Sequence, residues 1–355
     1  MPMTGASAFD AAPQHGPRPL PLFLQHVREQ TAASPEREAK AMAGLRRYQA
    51  ADRGLPRDAM PEAARTGRAC LRDYGGGGPP LVVVPSLINP PFVLDLAAHN
   101  SLMRWLATRG VRPLLVDWGT PRPDERGRDV AAHVEELLLP LIDALGERPL
   151  LAGYCLGGTM ALAAAAIRPP RALALIAAPW RFSGFPDAAR AEIAALWAEA
   201  EPMCRTLGLV PMEVLQSGFW KLDPARTVAK YEAFADLPED SAEAAAFVAL
   251  EDWANAGAPL TYAAGAEMFR LFAEDATGRG AWRVGDAAVD PHALSCPVAD
   301  FVSLTDRIVP AASATGLPGR RELTSGHVGM IVGSRARAQL WEPLADFLCA
   351  AATPR

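Results

Sequence analysis

Cys155 is the residue best suited to chemistry, and it stands in the middle of the segment Gly153-Tyr154-Cys155-Leu156-Gly157-Gly158. The apolar run 149–153 predicts a strand before it, and 158–167 predicts a helix after it. A nucleophile at such a strand-to-helix turn has strained backbone geometry and needs small neighbours. The helix N-terminus and any nearby imidazole both favour a thiolate. We therefore expect Cys155 to be a catalytic nucleophile rather than an ordinary buried cysteine.

The nucleophile needs a histidine base and an acid that orients the base. In a sheet with this kind of elbow the acid follows the nucleophile in the chain, after a late strand, and the histidine comes last. Asp306 lies shortly after the predicted strand 297–302 and is the expected acid. Asp300 is the nearest rival, but it lies inside that strand.

His327 is the expected base because it alone among the six histidines has the required chain order and setting. It lies in a glycine-containing loop after a short predicted strand near 321–323. The remaining histidines lie at the N-terminus, in helical stretches or before the acid: His15, His26, His99, His133 and His292.

An acyl-transfer site also needs two backbone N–H groups to stabilise the oxyanion. Leu156, directly after the nucleophile, is expected to supply one of them. The other is expected from Ile88 in the loop 85–89, with Leu87 as the alternative.

The elements that must position these residues alternate between strands and helices. Strands are predicted at 81–84, 113–117, 149–153, 171–178 and 297–302, and helices at 21–50, 129–145, 158–167 and 334–350. Continuous apolar strands with crossovers of this length imply a mostly parallel sheet flanked by helices. Together with the elbow and the order of the candidate residues, this pattern predicts an α/β protein with the α/β-hydrolase fold.

The alternation stops over residues 180–290, which lack clear buried strands and look helical. We expect them to form a helical cap inserted into the core, with a separate helical domain as the alternative. The expected organisation is a disordered and helical extension at 1–70, loosest at 1–19, a core in two parts at 71–179 and 291–355, and the cap at 180–290.

Composition excludes several other classes of function. A net charge of −5 provides no basic field, so a nucleic-acid partner is not expected. Neither a secretion signal nor a transmembrane segment is expected, because we find no charged region followed by an apolar one near the start and no apolar run long enough to span a membrane. Five cysteines without paired or zinc-type spacing indicate reduced thiols in the cytoplasm, and no metal or organic cofactor is expected.

Several motifs, taken together over residues 70–350, resemble those of the polyhydroxyalkanoate synthase family. The cysteine elbow is similar to that family's form of the lipase box, with cysteine in place of serine. The other matching segments are Val84-Pro85-Ser86-Leu87-Ile88-Asn89, Val93-Leu94-Asp95-Leu96, Val116-Asp117-Trp118-Gly119, Asp252-Trp253, Pro259-Leu260, 269–272, 304–310 and 325–329.

The resemblance implies a short, class III-like catalytic subunit that polymerises 3-hydroxyacyl thioesters of coenzyme A through an acyl-cysteine intermediate. Cys155, Asp306 and His327 would be its nucleophile, acid and base. The implied partners are the 3-hydroxyacyl-CoA substrate, the growing polyester, a second synthase subunit and another copy of the chain in a homodimer. The implied location is the cytoplasm, at the surface of polyester granules.

Two other functions remain open from the sequence. The first is a cysteine-dependent hydrolase on the same scaffold, either an acyl-CoA thioesterase or an intracellular polyester depolymerase. The second is a non-enzymatic granule-surface or regulatory protein, which the complete set of candidate catalytic residues disfavours. Product analysis with a 3-hydroxyacyl-CoA separates polymerisation from hydrolysis.

Overall fold

Apolar runs of the sequence form the middle of an eight-stranded sheet. Its strands are β1 (Glu62–Thr66), β2 (Ala69–Asp73), β3 (Pro80–Val84), β4 (Arg112–Asp117), β5 (Leu150–Tyr154), β6 (Leu173–Ile176), β7 (Val298–Ser303) and β8 (Arg320–Leu323). Their spatial order is β1-β2-β4-β3-β5-β6-β7-β8. The pairs from β4 to β8 are parallel, while β1 and β2 are antiparallel additions at one edge. The predicted mostly parallel sheet is confirmed.

The central strands are buried on both faces, as continuous apolar runs require. Every residue of β3, β5 and β6 is buried. The two antiparallel edge strands were not predicted. β1 reads Glu-Ala-Ala-Arg-Thr and is largely exposed, so it lacks the apolar signal that marks the central strands.

The computed structural model describes residues 16–53 and 59–352, so most of the loosely attached stretch expected at 1–19 lies outside the described residues. The helices are α1 (Leu20–Thr31), α2 (Pro35–Ala50), α3 (Leu102–Ala107), α4 (Val130–His133), α5 (Leu156–Ile167), α6 (Asp187–Leu207), α7 (Met212–Leu222), α8 (Pro224–Ala235), α9 (Ala242–Asn255), α10 (Tyr262–Glu274), α11 (Gly329–Val332) and α12 (Glu342–Ala352). Short strand pairs join Asp95–Ala97 to Asn100–Ser101, Leu209–Val210 to Leu260–Thr261, and Arg283–Val284 to Ala287–Ala288.

Two predicted helices differ in detail from the structure. The single helix predicted at 21–50 is two helices, because Pro35 begins α2 and the Ser34 hydroxyl accepts a hydrogen bond from the Arg37 N–H. The helix predicted at 129–145 widens after α4 into a π turn at Val134–Leu138 before it continues as Leu139–Asp143.

The described chain divides into two units with separate cores. The helical unit comprises 16–53 and 219–255, and the core unit comprises 59–218 and 256–352. In the helical unit, α1 and α2 pack with α8 and α9 around a cluster rich in aromatic residues: Phe23, Tyr48, Trp220, Tyr231 and Phe234. This association joins the N-terminal helices to residues almost 200 positions later, and no local sequence pattern indicated it.

In the core unit, α6 and α10 belong to the insertion between β6 and β7, and buried carboxylates hold α10 in place. Glu267 on α10 accepts hydrogen bonds from the N–H groups of Val130 and Ala131 at the start of α4, and from the Trp282 indole. The carboxylate thus satisfies orphan donors at a helix N-terminus, while its own burial raises its pKa. Asp275, directly after α10, accepts from the Phe182 N–H in the same way. Among the residues that the structure describes, no helix is long and apolar enough to cross a membrane.

Replacing Glu267 tests this anchoring. Glu267→Ala leaves three N–H donors unpaired, two buried and one partly buried, and should lower the free energy of unfolding by about 2–4 kcal/mol. The measurement is denaturant unfolding followed by tryptophan fluorescence. Glu274→Ala, an exposed change on the same helix, is the control and should be nearly neutral. Equal stability of the two variants would contradict the anchoring role.

Candidate active site

Cys155 occupies the sharp turn between β5 and α5 in an unusual backbone conformation. Its φ is 56° and its ψ is −133°, a combination that costs a non-glycine residue of order 1–3 kcal/mol. The surrounding sheet holds this conformation, because the Cys155 N–H donates to the carbonyl of Ile176 on the next strand at 2.9 Å. Cys155 is partly exposed. This is the geometry of a nucleophile elbow.

The glycines around Cys155 are required by close backbone packing. A Cβ on Gly157 would overlap the carbonyl oxygens of Val84 and Pro85, where β3 ends. A Cβ on Gly158 would overlap the Ala178 side chain, and one on Gly153 would lie 2.5 Å from the Gly157 carbonyl oxygen. Because only glycine fits, the start of α5 can approach the end of β3 closely.

Asp306 and His327 meet in a buried hydrogen bond. Asp306 Oδ2 lies 2.6 Å from His327 Nδ1. The other carboxylate oxygen accepts from the N–H groups of Ile308 and Val309 at 2.8 and 2.9 Å, which fixes the orientation of the acid. His327 and Asp306 are only 8% and 7% exposed, so this pair is shielded from water.

The loops that carry the acid and the histidine are tied to each other by polar side chains that the sequence analysis missed. Ser303 Oγ donates to the carbonyl of Ser325 at 2.6 Å, and Thr305 Oγ1 donates to that of Thr324 at 2.9 Å. Gln339 lies in a π turn at Arg337–Trp341 before α12 and accepts from the Ser325 hydroxyl at 2.8 Å. The serine and threonine residues beside Asp306 and His327 were the available signal.

The charge state of His327 depends on its two neighbours. Burial lowers its pKa, but the negative charges of Asp306 and Cys155, with hydrogen bonds to both, raise the pKa to about 10. The imidazole therefore holds a proton at neutral pH while it lies between a carboxylate and the sulfur. The structure brings together all three residues expected to form the catalytic site.

Leu156 and Ile88 are the two residues expected to stabilise an oxyanion. Leu156 is the first residue of α5, where backbone N–H groups have no partner within the helix. The Ile88 N–H donates to the Ser86 hydroxyl at 3.2 Å, so it is already engaged in this structure. The Trp118 indole donates to the carbonyl of Pro85 and fixes the start of that loop. The oxyanion-stabilising roles of Leu156 and Ile88 stay predictions.

An apolar cluster within the core unit packs against the elbow. Leu156 belongs to one buried cluster with residues of α6 and α10, among them Cys204, Met268 and Phe269, and Leu87 and Ile88 pack against the same cluster. The Trp197 ring on α6 stacks on Phe269 with centroids 4.5 Å apart. The first residue after the nucleophile is therefore part of an apolar and aromatic cluster built largely by these helices.

The other candidates for the acid and the base make different contacts or lie in other parts of the chain. Asp300 accepts a hydrogen bond from the Thr315 hydroxyl at 2.6 Å inside the sheet, and burial raises its pKa. The His133 ring contacts the carbonyl of Asp129 and the Arg68 guanidinium. His26 belongs to α1, His99 and His292 are exposed, and His15 lies outside the described residues.

Comparison with curated proteins identifies poly(3-hydroxyalkanoate) polymerase subunits as relatives. The chain is 26% identical over 289 residues to the poly(3-hydroxyalkanoate) polymerase subunit PhaC of Haloferax mediterranei, covering 76% of this chain and 58% of that protein. The PhaC subunit of Allochromatium vinosum is 26% identical over 296 residues, covering 76% of this chain and 80% of its own length. The resemblance to the poly(3-hydroxyalkanoate) polymerases is confirmed. No family model matches the chain.

The extent of the match differs among these polymerase subunits. The chain spans about 60% of the haloarchaeal relatives, 58% for Haloferax mediterranei and 60% for Haloarcula marismortui. It spans 77% of the PhaC subunit of Synechocystis sp., at 26% identity.

Solved structures share the fold. An esterase from Thermogutta terrifontis matches with a TM-score of 0.53 at 17% identity, covering 84% of this chain and 100% of its own. An epoxide hydrolase from Bacillus megaterium also matches with a TM-score of 0.53, at 14% identity, covering 81% of this chain and 100% of its own. At such low identity they show the fold alone. The predicted α/β-hydrolase fold is confirmed.

The close packing at the elbow predicts that Gly157→Ala is strongly destabilising. The added methyl group meets backbone oxygens that cannot move without distorting β3, so a loss of about 3 kcal/mol or more is expected. Thermal unfolding measures it. Gly77→Ala is the matched control, because nothing lies within 4 Å of the added carbon. An unchanged melting temperature for Gly157→Ala would contradict the packing argument.

The charges beside His327 predict its titration. With a pKa of about 10, the ring should remain protonated from pH 6 to pH 8.5 in a nitrogen-15 NMR titration of labelled histidines. Asp306→Asn removes one of the raising charges and should shift the midpoint downward. Asp300→Asn alters a buried acid that bonds the Thr315 hydroxyl instead of His327, and it should leave the midpoint unchanged. An ordinary midpoint near 6.5 in the parent protein would refute this electrostatic account.

Proposed function

We propose that the chain is an acyltransferase of the poly(3-hydroxyalkanoate) polymerase type, which joins 3-hydroxyacyl units of coenzyme A thioesters into a polyester. In this proposal Cys155 is the nucleophile, His327 the base and Asp306 the residue that orients the base. The observation that carries the proposal is a strained cysteine at a nucleophile elbow next to a buried histidine–aspartate pair, in a chain similar to PhaC subunits over 76% of its length.

The first step is acyl transfer to the enzyme. The Cys155 thiolate attacks the thioester carbonyl, and a C–S bond to the enzyme forms. The bond to coenzyme A then breaks, and the departing thiolate takes the proton held by His327. Backbone N–H groups of Leu156 and of Ile88 or Leu87 would stabilise the oxyanion formed in between. Because one thioester replaces another, the free energy of the exchange is close to zero.

Acylation would also convert His327 from an acid into a base. The charge of the sulfur, one of the causes that raise the His327 pKa, disappears when the acyl group is attached, whereas burial continues to lower the pKa. The neutral ring can then accept the proton of a 3-hydroxyl group. The alkoxide oxygen attacks an acyl thioester, an ester bond forms, and the C–S bond of that thioester breaks. The released thiolate then takes this proton from His327.

A cysteine suits this cycle better than a serine. A serine ester is a deeper energy well than a thioester and is a poorer donor to the next hydroxyl. Water must also be excluded, because hydrolysis ends a chain. The apolar cluster of α6 and α10 against Leu156 supports this requirement.

We further propose that residues 180–290 act as the cap, that 71–179 and 291–355 form the two parts of the catalytic core, and that 1–70 is an extension whose last residues join the core sheet as β1 and the start of β2. The packing of α6 and α10 against Leu156 supports the cap. The relatives are named as subunits, which supports a second synthase subunit as a partner. We also propose a homodimer that works in the cytoplasm at the surface of its insoluble product.

Product analysis tests the reaction. Purified protein supplied with 3-hydroxybutyryl-CoA should release free coenzyme A thiol and form insoluble polyester. Cys155→Ala should lower the rate by about 10⁴-fold or more, as the loss of a nucleophile does in comparable sites. Cys296→Ala, at a cysteine away from the elbow, is the control and should remain active. Free 3-hydroxybutyrate as the sole product would contradict the polymerase proposal and support the thioesterase alternative.

Exchange of sulfur for oxygen tests the thioester argument. Cys155→Ser should fold normally and acylate slowly, since a hydroxyl is the weaker nucleophile and depends fully on His327. It should accumulate an acyl-serine adduct, detected by mass spectrometry, without forming polymer. Polymer formation by the serine variant at the parental rate would contradict the need for thioester exchange.

A further inference from the structure

Tyr154 makes two contacts with the candidate base that the reaction outlined above does not use. Its ring stacks on the His327 ring, with centroids 5.0 Å apart and planes inclined by 27°. Its hydroxyl donates to the backbone carbonyl of His327 at 3.2 Å. The residue directly before the nucleophile therefore holds both the ring and the backbone of the histidine.

The position of Tyr154 is tightly constrained by the sheet. Tyr154 is the last residue of β5 and is only 3% exposed. His327 lies in the loop between β8 and α11, which is less constrained than a strand. The neighbouring charges at this point are those of Cys155 and Asp306, and burial together with both charges raises the pKa of the tyrosine well above its ordinary value. Tyr154 therefore stays neutral and acts as a hydrogen-bond donor.

We propose that Tyr154 is the positioning residue for His327, coupling the orientation of the base to the nucleophile elbow. Only the expected effect on turnover rests on the proposed function, because the contacts between Tyr154 and His327 are present in the protein without substrate. The phenol face also stabilises a cationic ring stacked upon it. Tyr154 thus supports His327 from the ring face, and Asp306 supports it from Nδ1.

Two substitutions separate the contacts. Tyr154→Phe keeps the ring and removes the hydrogen bond to the backbone of the His327 loop. Tyr154→Leu removes both, so that His327 loses its stacking partner. Tyr231→Phe is the matched control, since Tyr231 is a buried tyrosine of the helical unit whose hydroxyl bonds Glu251. Melting temperatures identify any variant that fails to fold.

The first readout is the alkylation rate of Cys155 by iodoacetamide as a function of pH, which needs no substrate. A well-placed imidazolium keeps the thiolate reactive at low pH. The parental profile should move to higher pH in Tyr154→Leu, by about half a pH unit or more, and less in Tyr154→Phe. Tyr231→Phe should match the parent.

The second readout is turnover of 3-hydroxybutyryl-CoA. Misplacement of a catalytic group by about 1 Å can cost on the order of 100-fold, so kcat should fall about 10- to 100-fold in Tyr154→Leu and a few-fold in Tyr154→Phe. KM should stay close to the parental value, because Tyr154 is not proposed to touch substrate.

The outcomes distinguish this inference from the proposed function. An altered alkylation profile in a protein that makes no polyester would support the positioning role while refuting the polymerase proposal. Folded Tyr154→Leu and Tyr154→Phe proteins with parental profiles and parental kcat would overturn the positioning role. If Tyr154→Leu does not fold, Tyr154→Phe decides: a parental profile and parental kcat would overturn the inference, and a shift with a few-fold loss would support it.

Discussion

The close approach of the β5–α5 turn to the end of β3 is the constraint on which the candidate site depends. Gly157 has no room for a Cβ because the carbonyl oxygens of Val84 and Pro85 occupy that space. This packing brings the first N–H groups of α5 near the loop that follows β3, and Cys155, at the turn itself, has a positive φ. The strain is local and is balanced by hydrogen bonds of the parallel sheet, such as that from the Cys155 N–H to Ile176.

The remaining parts of the site are held around this fixed point. Asp306 follows β7 and His327 follows β8, so both come from loops at the same edge of the sheet as the end of β5. Side-chain hydrogen bonds to carbonyl groups tie these loops together, and Gln339 adds a third support from outside the sheet. Because the resulting pair is buried, the charges of Asp306 and Cys155 act on His327 with little screening, and its pKa rises despite desolvation.

The sequence alone predicted the features that depend on residues close together in the chain. The buried strands β3 and β5 were evident from their apolar runs, and the elbow was evident from its glycines. The chain order of Asp306 and His327 followed from the position of the elbow. These local rules could not predict β1, whose polar sequence is stabilised by pairing with β2, or the break before Pro35 within an otherwise helical pattern.

Long-range contacts account for the other features that the sequence did not disclose. The packing of α1 and α2 with α8 and α9 joins segments that are far apart in the chain, and each segment alone reads only as an amphipathic helix. The contacts of Glu267 with the start of α4, and of Tyr154 with His327, likewise depend on tertiary structure. An acidic residue in a helix and an aromatic residue in a strand carry no local signal of such roles.

The most direct test of the account is to locate the covalent intermediate. Protein mixed with 3-hydroxybutyryl-CoA is quenched in acid at early times, digested and mapped by mass spectrometry. The account predicts a 3-hydroxyacyl thioester on Cys155 that forms at least as fast as turnover and is cleaved by hydroxylamine. Polymer formation without any adduct at Cys155, or with an adduct at a different cysteine that forms as fast as turnover, would contradict it.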